Sequence, residues 1–570
     1  MSHAVTGKSI ADPSCTLTLP ATPPSFARSY RYNDWAAYLE DSWRLTPRFT
    51  FNYGFRYEYY GVQHNDNQNL DSNFYFGSGS NFFQQIRNGS VQIAPRSPVG
   101  GLWNPNYGTI GPRIGFAYDI FGDGKTSIRG GYGISYERNF GNVTFNVIQN
   151  PPAYASVQIT PSTTGVAPPV VTTDNLGPFA GSNGTVLLRP SSLRHVNQNI
   201  NTGQTQFASL ALERQLARNT VLAFEYSGAH GIHLYDIAAS NPVGGGQFYL
   251  GDSFDGTDFT RVNDQYSGIN TRGSNGSSHY SALNIRLQTQ NLHNAGLSLV
   301  TNYTWAHSTD DLSSTFSDST GGGSNGIGNL GYLNPRDPRL DWGSSDYDIR
   351  HRVVVSPIWE IPWFKNGTGW KRQTAGGWTL VGVFTARTGV PFSVFDTTNS
   401  LNANAGYGIP RYVPSSPITN HNAGTPAQQT DPNTGLPINQ FTILTLPVPN
   451  SAPFTTSLGG FPVAVSDFGP FPANMTGRNA FRGPGAWNFD TAITKAFALT
   501  ERLKLEFRAE GFNIFNHHNF YVNALTLDGA SFAGIPLTVT ALKGGLGTNN
   551  VSGTNHDERR FGQFALRLTF

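Results

Sequence analysis

Few residues in this chain have types and spacings that could do chemistry. "GDGKTS" (122–127) has the outline of a phosphate-binding loop, in which backbone amides and a lysine cradle phosphates. That loop needs a glycine where Asp119 stands and a helix after the serine. Here "SIRGGYGISYE" follows, a strand pattern, so Asp-Gly reads as a hairpin turn. His517 and His518 in "NHHNF" could hold a metal, but adjacent residues of a strand point to opposite faces. They read as a strand-end motif. Asp310, Asp311 and the aspartates of "GDSFDGTDF" (251–259) miss EF-hand spacing and read as solvated loop charge. No Ser/His/Asp set or paired-acid constellation emerges, so the expectation is no catalytic site, no metal, no cofactor and no enzyme.

These side chains stand in an unusual background. Of 570 residues only 13% are charged and 13% are aromatic, with 64 Gly and 36 Pro. A formal charge of +2 gives no electrostatic footprint for nucleic acid. So many aromatics argue against disorder. The single cysteine, Cys15, excludes an internal disulfide and a CxxC zinc or redox site, and no apolar run precedes it for a lipid anchor. No run of ~18 apolar residues exists, so no transmembrane helix is expected. "MSHAVTGKSIADPS" lacks the ~7–15-residue apolar core of a secretory signal.

Period-2 alternation dominates. In 47–61, Phe49, Phe51, Tyr53, Phe55, Tyr57 and Tyr59 share one face, opposite Thr50, Asn52, Gly54, Arg56 and Glu58. In 501–513, Leu503, Leu505, Phe507 and Ala509 oppose Lys504, Glu506, Arg508 and Glu510. The last segment repeats this, with Phe564, Leu566, Leu568 and Phe570 on one side. A charged face opposite an apolar face ringed by Tyr and Trp is hard to place in a soluble sandwich.

Such strands come in pairs: 33–44 with 47–60, 109–121 with 124–137, 205–216 with 219–232, 279–291 with 295–307, 347–361 with 376–395, and 485–498 with 502–516. Strand 561–570 stands alone. Links within most pairs are short turns. Links between pairs (61–108, 138–204, 233–278, 308–346, 396–484) are long and read as wholly wet. Short turns on one side and long loops on the other mark a transmembrane antiparallel up-and-down β-barrel of the outer-membrane type. In hydrocarbon every backbone polar group must be paired internally, so strands span only as a closed ring. The expected division is an unstructured 1–32 and a barrel domain over 33–570. Phe49, Phe51, Tyr53, Phe55, Tyr57 and Phe507 then face lipid. Arg56, Glu58, Arg129, Glu137, Glu213, Arg286, Lys504, Glu506, Arg508 and Glu510 face the lumen and pair across strands. His351, between Arg350 and Arg352, reads as a lumen or rim residue. With the C-terminus at the periplasmic rim, every long loop is extracellular. About thirteen strands are visible where bacterial barrels have even numbers, so the barrel reads as incomplete or one strand is hidden. "FTILTLPV" (441–448) is the candidate fourteenth.

Three stretches carry a family resemblance: "GPGAWNFDTAITKAFALTERLKLEFRAEGFNIFNHHNF" (483–520), "SSDYDIRHRVVVS" (344–356) and "NDWAAYLEDSWRLTPRFTFNYGFRYEYYG" (33–61). They resemble the C-terminal barrel of Oar-like TonB-dependent receptors of the Gram-negative outer membrane. In the second stretch the residues matching the family's run are Asp348, Arg350, His351 and Arg352. The terminal strand with Phe570 resembles the signal read by the barrel-assembly machinery. The resemblance implies a receptor that binds and imports an unidentified ligand, in contact with outer-membrane lipid. It also implies a signal peptide, a regulatory-like domain, a plug and a TonB-contacting segment. None is visible, so the TonB complex is expected to act only through such N-terminal regions, and the chain reads as a fragment. The alternatives are a non-transporting barrel for adhesion or surface assembly, an outer-membrane enzyme, and a secreted soluble β protein such as a carbohydrate-binding module. The last would show even ~40–50-residue repeats, which these unequal loops do not.

Overall fold

The computed structural model describes residues 27–139, 141–145, 147–151, 192–254, 259–313, 332–364, 369–396, 410–450, 471–500, 502–523, 534–544 and 558–570, with short strands at 16–19, 184–187, 455–458, 461–464 and 526–528. Among the described residues, thirteen strands form one continuous antiparallel wall, each bonded to its neighbours in sequence order. They are β1 (Asp34–Thr46), β2 (Phe49–Tyr60), β3 (Ile110–Asp119), β4 (Thr126–Glu137), β5 (Gly203–Ala217), β6 (Thr220–Ala239) and β7 (Ile269–Leu292). Then come β8 (Leu297–Asp310), β9 (His351–Glu360), β10 (Trp378–Arg387), β11 (Ala486–Ala498), β12 (Lys504–Phe512) and β13 (Phe561–Thr569). Every strand expected from alternation is present, within a few residues for most. β6 and β7 run further, past register shifts at Gly231/Leu234 and Leu234/Asp236.

The turn between β3 and β4 is the expected hairpin. Asp119 accepts the amides of Gly122 and Gly124, both at 2.9 Å, and both glycines have positive φ. These are backbone angles that glycine adopts without steric cost. Ser127 continues β4.

Register keeps like with like. Trp43, Phe51, Phe116, Gly130, Leu210, Tyr226, Leu283, Trp305 and His351 stand opposite one another in turn from β1 to β9. One residue along, Arg44, Thr50, Ala117, Arg129, Ala211, Glu225, Asn284, Thr304, Arg352, Arg387 and Ala486 form a parallel row from β1 to β11 on the other face. Because the side-chain period is two, one consistent register gives the whole wall one apolar and one polar face.

Among the described residues β1 and β13 do not pair with each other. All thirteen residues of β1 and all nine of β13 are exposed. Twelve antiparallel steps separate them, so they run in the same direction. Closing such a ring with antiparallel contacts throughout takes an odd number of further strands.

Two expectations change here. The strand character near 441–448 is real, but Pro437–Leu446 pairs with Ala427–Thr430 and Leu537–Lys543 in a separate four-stranded sheet. It is no fourteenth wall strand, because its apolar side chains pack into a core of their own. The stretch 1–32 is not wholly without structure: Thr16–Leu19 pairs with Gly184–Leu187, and Tyr30–Arg31 with His64–Asn65. Cys15 lies outside the described residues.

The buried cores lie mainly in the long links, which are not simply wet. One gathers Phe392, Val394, Tyr412, Leu446, Phe481 and Val539. A second holds Phe74, Phe83, Ile86, Leu193, Tyr266 and Ile269. A third holds Leu102, Trp103, Val143 and Val196. Compact packing between links satisfies their backbone and makes them a structured layer at the long-loop end of the wall. No described helix is long and apolar enough to cross a membrane, which says nothing of strands.

Candidate functional site

The polar face and the loop layer meet at the long-loop ends of β8 to β13, where most of the informative chemistry is gathered. Asp348 is its pivot. Its side chain is fully buried; it accepts the Ser308 amide at 2.8 Å and Arg350 Nε at 3.0 Å, and is also bonded by Arg482. Burial opposes its charge, yet the Ser308 amide, Arg482 and Arg350 hold its carboxyl below the usual range. Arg478 reaches Asp310 and, at 3.8 Å, Asp346. Asn479 donates to Ser344 O at 2.8 Å and Asp346 Oδ1 at 2.6 Å. Arg411 and Asp341 form a pair that is almost wholly buried, and Asp341 also accepts the Leu333 amide at 2.8 Å. Burial pushes the Asp341 carboxyl up, against the pull of Arg411.

These bonds correct the reading of Asp310 and Asp311 as solvated charge. Both are buried. Arg478 neutralises Asp310, and Asp311 accepts the Ser277 amide at 3.0 Å. Buried charges persist only when paired or hydrogen-bonded, and the loop layer supplies the partners. Asp252 is likewise held, by Arg87 and Thr260, while Asp255 and Asp258 lie outside the described residues.

Sequence reasoning missed the arginines that do this. The link 396–484 has three arginines and no lysine, namely Arg411, Arg478 and Arg482. In a chain so poor in charge, that selection was the available signal: arginine suits buried pairing with carboxylates.

Below this knot, a cavity of about 550 Å³ opens beside the ends of β9, β10 and β11. Arg352, Arg387, Asp490 and Asn488 line it, with Trp487, Phe512, Tyr521, Glu558, Arg559 and Phe561. Both its carboxylates are engaged. Asp490 accepts the Asn513 amide at 2.8 Å and Asn488 Nδ2 at 2.9 Å. Glu558 accepts the Asn519 amide at 2.8 Å and Asn519 Nδ2 at 3.0 Å, and Tyr521 donates to it.

The other named residues fall as follows. Phe49, Phe51, Tyr53, Phe55 and Tyr57 share the apolar face of β2, and register carries Phe507, Phe564, Leu566 and Leu568 to that face too. Phe570 is 96% exposed. His351 takes the rim: it opposes Trp305 on the apolar face, its Nδ1 2.8 Å from Tyr303 Oη. Arg56 pairs with Glu58 at 2.9 Å, and Arg508 with Glu510. These pairs run along one strand, unlike the cross-strand pairs expected, because residues two apart point the same way. Arg129–Glu213 does bridge neighbouring strands. Lys504 and Glu506 share that face with Arg508. His517 stacks on Trp487 at 3.9 Å while His518 Nδ1 meets Gly544 O at 2.7 Å, so the two diverge. No group of three or more His, Cys, Asp or Glu able to hold a metal occurs among the described residues.

No curated protein matches the chain. Among solved structures it is similar to the outer membrane transporter YddB from Escherichia coli (8% identity, TM-score 0.40, covering 95% of this chain and 54% of that one). It is also similar to the FrpB iron transporter from Neisseria meningitidis (7%, TM-score 0.37, 95% and 47%). A third is the siderophore receptor PirA from Acinetobacter baumannii (9%, TM-score 0.37, 94% and 45%). The chain thus spans about half the length of these proteins. The family of the chain is given by a family model. That model, of the outer membrane beta barrel domain, matches residues 11–543, and the chain, an antiparallel wall with one apolar face, belongs to that family of the outer membrane.

Proposed function

We propose that the chain forms wall and outer loops of a TonB-dependent receptor of the Oar-like type, which captures a ligand outside and passes it along its polar face. The observation that carries this is the row from Arg44 to Ala486, continuous in register over eleven strands and polar at all but its three alanines, behind an apolar face. Such a two-faced wall suits lipid outside and water within. The faces then take their places: Phe49, Phe51, Tyr53, Phe55, Tyr57 and Phe507 meet lipid, while Arg56, Glu58, Lys504, Glu506, Arg508 and Glu510 meet the lumen. The short turns are periplasmic, the loop layer is extracellular, and the terminal strand is the assembly signal. The chain binds and conducts, without catalysis. Energised opening needs a plug and a TonB-contacting segment, which the wall itself does not supply. A second reading, a barrel used for surface assembly, draws support from the separately packed loop cores.

The test is topological. The protein should fractionate with outer membranes and change gel mobility on heating. In a Cys15→Ser background, Thr434→Cys in the loop layer should react with an impermeant maleimide on intact cells, and Thr500→Cys in a short turn should not. Recovery as a soluble, heat-insensitive monomer would overturn the proposal.

A further inference from the structure

We infer that the cavity beside β9, β10 and β11 is an oxyanion site built on Arg352 and Arg387. The inference rests on the reading that the polar face lines the lumen, and names the ligand chemistry that this face selects.

The two arginines are direct partners across β9 and β10. Directly opposed side chains have Cβ atoms about 4.5–5.5 Å apart, and like charges placed so repel. Some arginines on this face are neutralised by carboxylates: Arg56 by Glu58, Arg129 by Glu213, Arg508 by Glu510. Among the described residues neither the Arg352 nor the Arg387 side chain has a hydrogen-bond or ion-pair partner. Local carboxylates do not fill the role. Asp490 is held by Asn513 and Asn488, and Glu558 by Asn519 and Tyr521.

The wall thus holds two opposed guanidinium groups facing a cavity of about 550 Å³, within the size range of small-molecule sites. Guanidinium forks match carboxylate and phosphate oxygens two at a time, and an anion between them removes the repulsion. Trp487, Tyr521, Phe512 and Phe561 at the border supply apolar contact for the rest of a ligand. The favoured ligand carries at least one carboxylate or phosphate group.

The test uses the purified full chain in detergent, with succinate, inorganic phosphate and uncharged succinamide as probes in equilibrium dialysis. Saturable binding of succinate or phosphate, but not succinamide, is expected, and it should weaken as salt rises. Which of the two binds more tightly distinguishes carboxylate from phosphate ligands. Arg352→Gln and Arg387→Gln should each weaken binding by about 10-fold or more, the scale of a lost charged hydrogen bond. Arg387→Lys keeps the charge without the fork and should fall between. Arg129→Gln, on the same face but already paired, should leave binding within about twofold. The heat-dependent gel shift reports folding in every variant. Normal shifts with no binding of either anion, or with binding untouched in both glutamine variants, would overturn the site while leaving the barrel standing. Loss of the shift in the parent protein would instead overturn the barrel reading.

Discussion

Arg482 closes on the carboxylate of Asp348 across 134 residues of sequence, joining the loop layer to the residues that lead into β9. Asp348 is buried and Arg482 only partly exposed, so neither charge can be left alone without cost. Asp348→Ala should therefore destabilise the loop layer by about 3–5 kcal/mol, the scale for breaking a buried pair. Limited proteolysis should then cut within 410–482 while the heat-dependent gel shift of the wall persists. Unchanged protection of the loops would show that the pair does not anchor them.

Asp311 makes stability depend on pH. Burial, with Asp310 and Asp236 adding to it, pushes its carboxyl up to about 7, against the Ser277 amide and Arg478. Tyr332 also faces it, at 3.5 Å. In the unfolded chain it titrates near 4. Between these values Asp311 keeps a proton in the folded protein that it has lost in the unfolded chain, so its contribution to stability falls as pH rises from about 4 to about 7 and levels off above. Between pH 5 and pH 8 the thermal stability of the parent should fall relative to that of Asp311→Asn by on the order of 2 kcal/mol. Equal pH profiles for parent and variant would refute this.

Lys495 is a cation in an apolar row, between Trp378 and Phe507. It is 3% exposed, because its ammonium donates to Thr374 O at 2.9 Å and Gly376 O at 2.7 Å at the end of the helix Gly369–Ala375. It also lies 5.0 Å from the Trp378 ring. Lys495→Met should free that turn, which bears exposed Trp363 and Trp370, at a cost of about 1–3 kcal/mol for carbonyls left without a donor. Faster proteolysis at 361–377 is the readout, and an unchanged cleavage rate would count against the capping role.

If the terminal strand is the proposed assembly signal, Phe570 should separate assembly from stability. It is almost fully exposed, and no ring contact involves it among the described residues. Phe570→Ala should lower the amount of protein reaching the outer membrane several-fold, yet leave the heat-shift midpoint of the assembled fraction within about 0.5 kcal/mol of the parent. A normal yield in membranes would remove the residue's role as an assembly signal.

Much of the wall was legible in the sequence alone. Rows such as Phe49–Phe51–Tyr53–Phe55–Tyr57 and Leu503–Leu505–Phe507 encode strand, face and approximate ends, because period-2 alternation is local and a half-apolar strand has few places to go. Turn chemistry such as Asp119 with Gly122 and Gly124 was equally local. The knot at Asp348 was not, since Arg411, Arg478 and Arg482 lie far from their carboxylates in glycine- and proline-rich links without periodicity. Nor was the opposition of Arg352 to Arg387, which depends on the register between β9 and β10. Local residue order determined the strands and their two faces. Tertiary structure alone decided which charges meet, because charge pairing and register are settled by long-range packing that no short window of sequence contains.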